Sequence, residues 1–94
     1  MTVYKYYAVI EREKVDQTGA YIVSYPDLEN VFTDAETLID AISNAHDVLE
    51  TMLAEMEQDG DNVPTPSKAE DVKVRLPEGA SLIYIEVDTE SDSN

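Results

Sequence analysis

One apolar stripe constrains this chain more than any other feature. Leu38, Ile42, Ala45, Leu49, Met52, Leu53 and Met56 recur at steps of three and four residues, while Asp40, Asp47, Glu50 and Glu57 fall on the opposite side. That spacing is one face of an α-helix. Two capping boxes compete for its start, Thr33-x-x-Glu36 and Thr37-x-x-Asp40. The second is preferred because the stripe begins directly after it. The helix should end near Gln58, where Gly60 supplies a left-handed stop and Pro64 blocks continuation. It then runs for about 20 residues, or about 30 Å. A chain of 94 residues supports one small core, so this helix must cover most of whatever packs against it.

The flanks read as strands. Tyr4, Tyr6, Ala8 and Ile10 alternate with Lys5, Tyr7, Val9 and Glu11, which predicts a strand to about Glu13. Asp16-Gln17-Thr18-Gly19 is a turn, and residues 20–24 form a second strand paired with the first. Pro26 has no N–H to give and ends it; Val31-Phe32-Thr33 is a short third strand. After the helix, Ser67-x-x-Glu70 is placed to cap a short helical turn. Pro77-Glu78-Gly79-Ala80 is a turn, and residues 81–87 form a fourth strand with Ile83, Ile85 and Val87 toward the helix. The order β-β-β-α-β predicts an α+β, two-layer sandwich with one long helix on a mainly antiparallel sheet. The domain is expected over residues 1–88, and residues 89–94, which hold no apolar side chain, as a disordered acidic tail. Nothing obvious covers the second sheet face. Its tyrosines predict a homo-oligomer, a dimer or higher.

Charge narrows the function. Twenty-one acidic side chains face six basic ones, a formal net charge of −15. Residues 15–67 contain twelve of the acids and no Lys or Arg. Such a surface repels phosphate backbones, so DNA binding by this chain alone is excluded as an expectation and RNA is disfavoured. A basic protein is instead attracted. The absence of Cys excludes a disulfide framework, a Cys-based zinc site and a thiol nucleophile. No apolar run reaches the ~18 residues of a membrane span, and the N-terminus is not a secretory signal, so a cytoplasmic location without membrane contact is expected.

Catalytic signals are thin. His46 is the single histidine, at the edge of the helical stripe, which points to a structural role. Asp59-Gly60-Asp61-Asn62 begins like a calcium loop and then fails at Val63 and Pro64. Gly19, Gly60 and Gly79 are too far apart to form a phosphate loop. No enzyme activity, metal or cofactor is expected.

A longer pattern runs through the chain. Gly19 lies in a turn before the Tyr21-containing strand, followed by the corner Tyr25-Pro26-Asp27-Leu28 and the strand end Phe32-Thr33. Thr37-Leu38-x-x-Ala41-x-x-Asn44-Ala45 opens the helix; Asp59-Gly60, Val63-Pro64-x-Pro66-Ser67 and Ile85-Glu86-Val87-Asp88 follow. Over residues 4–88 this pattern resembles the HicB-like antitoxin family and its stand-alone relatives. It departs from it at Glu29-Asn30-Val31, where the family often has Pro-Gly-Cys. The resemblance implies a partial RNase H-like fold without the nuclease's catalytic carboxylates. It also implies a partner, the small basic mRNA-cleaving toxin HicA, whose active surface such a domain covers. Many members carry a C-terminal operator-binding module. Only six residues follow Asp88 here, so no operator binding by this chain alone is expected.

The residues expected at a partner interface are the corner Tyr25, Pro26, Asp27 and Leu28, with Phe32 and the helix acids Asp40, Asp47 and Glu50. Beside this stands a plainer reading, in which Pro26 and Asp27 shape a turn, Leu28 and Phe32 fill the core, and the acids form a solvated face. The alternative function is an RNA-binding regulatory protein with a degraded RNase H-like fold, stacking bases on Tyr4, Tyr6, Tyr21 and Phe32.

Overall fold

Alternating Tyr, Val and Ile residues place the first strand, β1, at Val3–Arg12 of a computed structural model that describes residues 3–12, 19–28 and 31–89. β2 (Tyr21–Ser24), β3 (Phe32–Ala35), the long helix α1 (Leu38–Asp59), a short helix α2 (Ala69–Lys73) and β4 (Ser81–Asp88) follow. The sheet order is β3-β2-β1-β4, and every neighbouring pair is antiparallel. This is the α+β arrangement of one long helix on an antiparallel sheet. Of the expected hairpin turn, Asp16, Gln17 and Thr18 lie outside the described residues, as does the expected tail from residue 90 onward.

The helix begins and ends where its caps put it. Thr37 is extended at φ −121°, and its Oγ1 accepts the Asp40 N–H at 3.1 Å. Gly60 takes φ 75° at the other end, and the Asp61 N–H reaches the Met56 carbonyl at 2.9 Å. A left-handed glycine with this return bond closes the carbonyls that the last turn leaves open.

One face of the sheet meets the helix. Tyr6, Ala8 and Ile10 of β1, Val23 of β2, and Ile85 and Val87 of β4 are buried beneath Ala41, Ala45, Leu49 and Leu53. The buried stripe therefore starts at Ala41. Leu38 and Ile42 are exposed and line a shallow hollow with Tyr21 and Ile83. β3 also departs from expectation. It begins at Phe32, one residue later, and ends at Ala35. Phe32 pairs with Ser24, and Thr33 with Val23. Because side chains alternate between faces, Thr33 points to the helix and Phe32 away from it. Val31, just before the strand, fills the core in its place, and Phe32 remains 65% exposed. The second sheet face is not bare. The segment after α1 crosses it and brings Val72 of α2, Arg75 and Pro77 around Val9 and Ser24, so that Val9 and Val72 are buried.

Three tyrosine hydroxyls tie the layers together. Tyr25 donates to the Ala45 carbonyl at 2.6 Å, Tyr6 to the Pro64 carbonyl and Tyr4 to Glu57 Oε2 at 2.6 Å. Burial raises the Tyr6 and Tyr25 pKa values, and the bond to Glu57 pushes Tyr4 up to about 12. Unfolded tyrosine titrates near ~10, so the fold favours the neutral phenols. Their stabilisation is complete below pH ~10 and is lost as pH rises through the folded values. Denaturant midpoints should accordingly be flat from pH 7 to 9 and fall steeply above pH ~10. Tyr25→Phe should lower the neutral-pH stability by about 1 kcal/mol, measured by urea unfolding, and shallow the alkaline decline.

Candidate interaction surface

Pro26 ends β2 and turns the chain through a tight corner. The Leu28 N–H bonds to the Tyr25 carbonyl at 3.1 Å, and the Tyr25 N–H to the Val31 carbonyl at 3.3 Å. This closure buries Tyr25 and Leu28. Asp27 points the other way, toward the segment that leaves α1. Its Oδ2 accepts the Ser67 N–H at 2.7 Å and its Oδ1 the Ser67 hydroxyl at 2.6 Å. Ser67 was expected to cap α2. Its hydroxyl is taken by Asp27 instead, and α2 starts at Ala69 with Lys68 as an N-cap that makes no side-chain hydrogen bond. A bidentate, charge-assisted pair across forty residues of chain outweighs capping five residues of helix.

The expected interface residues therefore do not form one site. Tyr25, Asp27 and Leu28 are engaged within the fold. Pro26 is exposed and borders a hollow of about 240 Å³ with Val72 and Pro77. Phe32 is exposed beside Ile22 and Asp34 at a wider hollow of about 480 Å³. Asp40 and Asp47 lie on the outer side of α1, on the opposite layer, with Glu50 half-buried nearby in sequence.

That helix is electrostatically one-sided. α1 holds Asp40, Asp47, Glu50, Glu55, Glu57 and Asp59 and no Lys or Arg. Lys5 and Arg12 lie on β1, and Lys68, Lys73 and Arg75 in and around α2. His46 Nδ1 sits 3.7 Å from Asp47 Oδ1. His46, Asp47 and Glu50 bring one ligand atom each within 4.8 Å of one another. They are the described residues that could hold a cation, but the cluster is open and built on a single helix.

Sequence reasoning missed one feature of this surface. Ile39 stands 80% exposed between Leu38 and Asp40, with Leu38 and Ile42 exposed beside it. An apolar patch on an acidic helix is unusual for a merely solvated face. Its signal was that Ile39 falls outside the stripe.

The comparisons with known proteins agree with one another. A family model described as the HicB-like antitoxin of bacterial toxin-antitoxin systems matches residues 5–82. The fold is similar to a chain of a toxin-antitoxin complex from Streptococcus pneumoniae, with TM-score 0.79 and 20% identity over 97% of this chain and 73% of that one. The antitoxin HicB of Burkholderia pseudomallei gives TM-score 0.74 and 26% identity, covering 93% of this chain and 65% of that one. Its separate N-terminal domain gives TM-score 0.71 and 27% identity over 90% of this chain and 99% of the domain. The chain thus spans about two thirds of the whole Burkholderia antitoxin and nearly all of its N-terminal domain. A search of the curated proteins returns no match. Among the described residues no helix is long and apolar enough to cross a membrane.

The Asp27 tie can be measured directly. Asp27→Ala strands the Ser67 N–H and should cost about 1.5–3 kcal/mol. At roughly 4–8 °C per kcal/mol for a domain of this size, the melting temperature should fall by about 6 °C or more, read by circular dichroism. Pro26→Ala should leave it within about 0.5 kcal/mol of the parent.

Proposed function

The chain belongs to the HicB-like antitoxin family, and from that membership we propose that it binds and neutralises a small basic HicA-type mRNA-cleaving toxin by protein–protein contact. The observation that carries the proposal is the run of acids on α1 without a single Lys or Arg. A toxin that acts on mRNA must present cations to phosphates, and an acidic helix can occupy that surface in their place. Asp40 and Asp47 contribute the charge, with Glu50 at the margin. In this reading the domain is non-catalytic: it works by occupying and covering, with none of its carboxylates reacting. The acids would act first on encounter rate, raising association at low salt.

Co-expression with a small basic HicA-type toxin tests the proposal, with colony growth and a binding titration as readouts. The parent chain should restore growth. Asp40→Lys combined with Asp47→Lys should weaken binding about tenfold or more at low salt, which is about 1.4 kcal/mol, and flatten its salt dependence. Unchanged binding by the double variant would remove the helix from the interface. Tight binding of single-stranded RNA by the purified chain would favour the RNA-binding alternative instead.

A further inference from the structure

α1 carries acids along its length, yet its first turn is apolar where it meets solvent. Leu38, Ile39 and Ile42 are all exposed. Residues three and four apart are neighbours on a helix surface, so Ile39 and Leu38 both border Ile42 and the three make one patch. The patch opens into the hollow at this end of the two layers, about 240 Å³ in volume, whose other apolar walls are Ile10, Tyr21 and Ile83. A solvated acidic helix has no use for such a patch.

We propose that Leu38, Ile39 and Ile42 are the apolar anchor of the surface that α1 offers to a basic protein, and that the hollow receives an apolar side chain which the partner flanks with Lys or Arg. The identity of that partner rests on the antitoxin reading; the place of the anchor does not follow from it. The acids at the margin select the occupant. Glu11 lines the hollow on the sheet side, Glu36 stands just before the helix, and Asp40 adjoins Ile39. Arg12 also lines the hollow, its guanidinium 5.4 Å from the centre of the Tyr21 ring. Nucleic acid or an anionic lipid surface would bring phosphates against these carboxylates. A second copy of this chain, at a net charge of −15, would bring its own acids against them. A segment with cations beside an apolar residue is attracted by both parts of the surface.

The two parts act on different rate constants. Exposed carboxylates steer encounter, so Asp40 and Asp47 govern kon. Apolar side chains that leave water only in the complex govern koff, so that role falls to Leu38, Ile39 and Ile42.

Surface plasmon resonance of the full chain against a small basic HicA-type toxin separates the two rates. Ile39→Ser and Leu38→Ser leave the net charge unchanged. Each should raise koff about tenfold or more, with kon within about twofold of the parent. Ile39→Met conserves the apolar volume and should keep the slow koff of the parent. Asp40→Lys combined with Asp47→Lys should instead lower kon, most strongly at low salt. Val74→Ser, at an exposed apolar residue that ends α2, should change neither rate. Circular dichroism checks that each variant is folded, which the exposure of these side chains favours. A parent that binds while Ile39→Ser and Leu38→Ser keep its koff overturns the anchor and leaves the antitoxin reading standing. A parent that does not bind the toxin overturns both. Binding of the parent to uncharged phosphatidylcholine vesicles, or self-association, that Ile39→Ser abolishes gives the patch to another occupant and also overturns the proposal.

Discussion

Everything in this small domain depends on the contact between one helical ridge and one sheet face. Ala41 and Ala45 let the helix approach the sheet closely, and Leu49 and Leu53 complete the core with the buried residues of the sheet. Fully burying each leucine is worth roughly 1.5–3 kcal/mol, and a domain of this length has few such residues. The buried tyrosines extend the core beyond what aliphatic residues alone supply. Their rings pack, and their hydroxyls reach carbonyls on the helix and on the segment that follows it. Because the packing is concentrated on this ridge and on the half-buried Val48, Met52 and Met56 beside it, outward positions such as Asp40 and Asp47 can carry charge.

Much of this was legible in the sequence, because period and caps are local. The order of elements, Thr37 as N-cap, Gly60 as the stop and the helix-facing side of β4 all follow from spacing and turn chemistry. What was not legible is set by long-range partners. Phe32 looks like core by composition. It turns outward because its pairing with Ser24 puts Val23 and Thr33 on the inner face. Ser67 looks like a cap, yet Asp27 lies forty residues earlier and claims it. The stripe looks about one turn longer at its start than the buried ridge, because Leu38 and Ile42 match the period without a closed core beneath them. The crossing segment over the second face has no periodic signal at all.

The family pattern divides by physical role in the same way. Tyr25-Pro26-Asp27-Leu28 and Pro66-Ser67 are far apart in sequence and adjacent in space, and they form one fastening. The corner turns β2 toward β3, and the fastening directs the chain from the helical layer to the opposite face of the sheet. A motif shared over a whole domain can thus report the fold more than the contact surface. For this chain the corner is scaffolding, since Tyr25, Asp27 and Leu28 are engaged within the fold.

That separation gives the net charge a physical meaning. A formal charge of −15 on 94 residues destabilises the compact state through self-repulsion, and the acids gathered on α1 have no Lys or Arg on the helix to offset them. Salt and counterions reduce the penalty but do not remove it. A cationic partner removes it locally. Any ligand that binds the folded state alone also raises its stability, by an amount that grows with concentration over Kd. In the proposed complex, the charge that α1 holds in the free chain would be offset by the partner's cations. Tyr25 and Tyr4 tie the helix to the sheet within the chain itself, so in the proposed reading its acids are in place before a partner arrives. Such preorganisation of the acidic face would favour fast and tight capture of the proposed partner over capture coupled to folding.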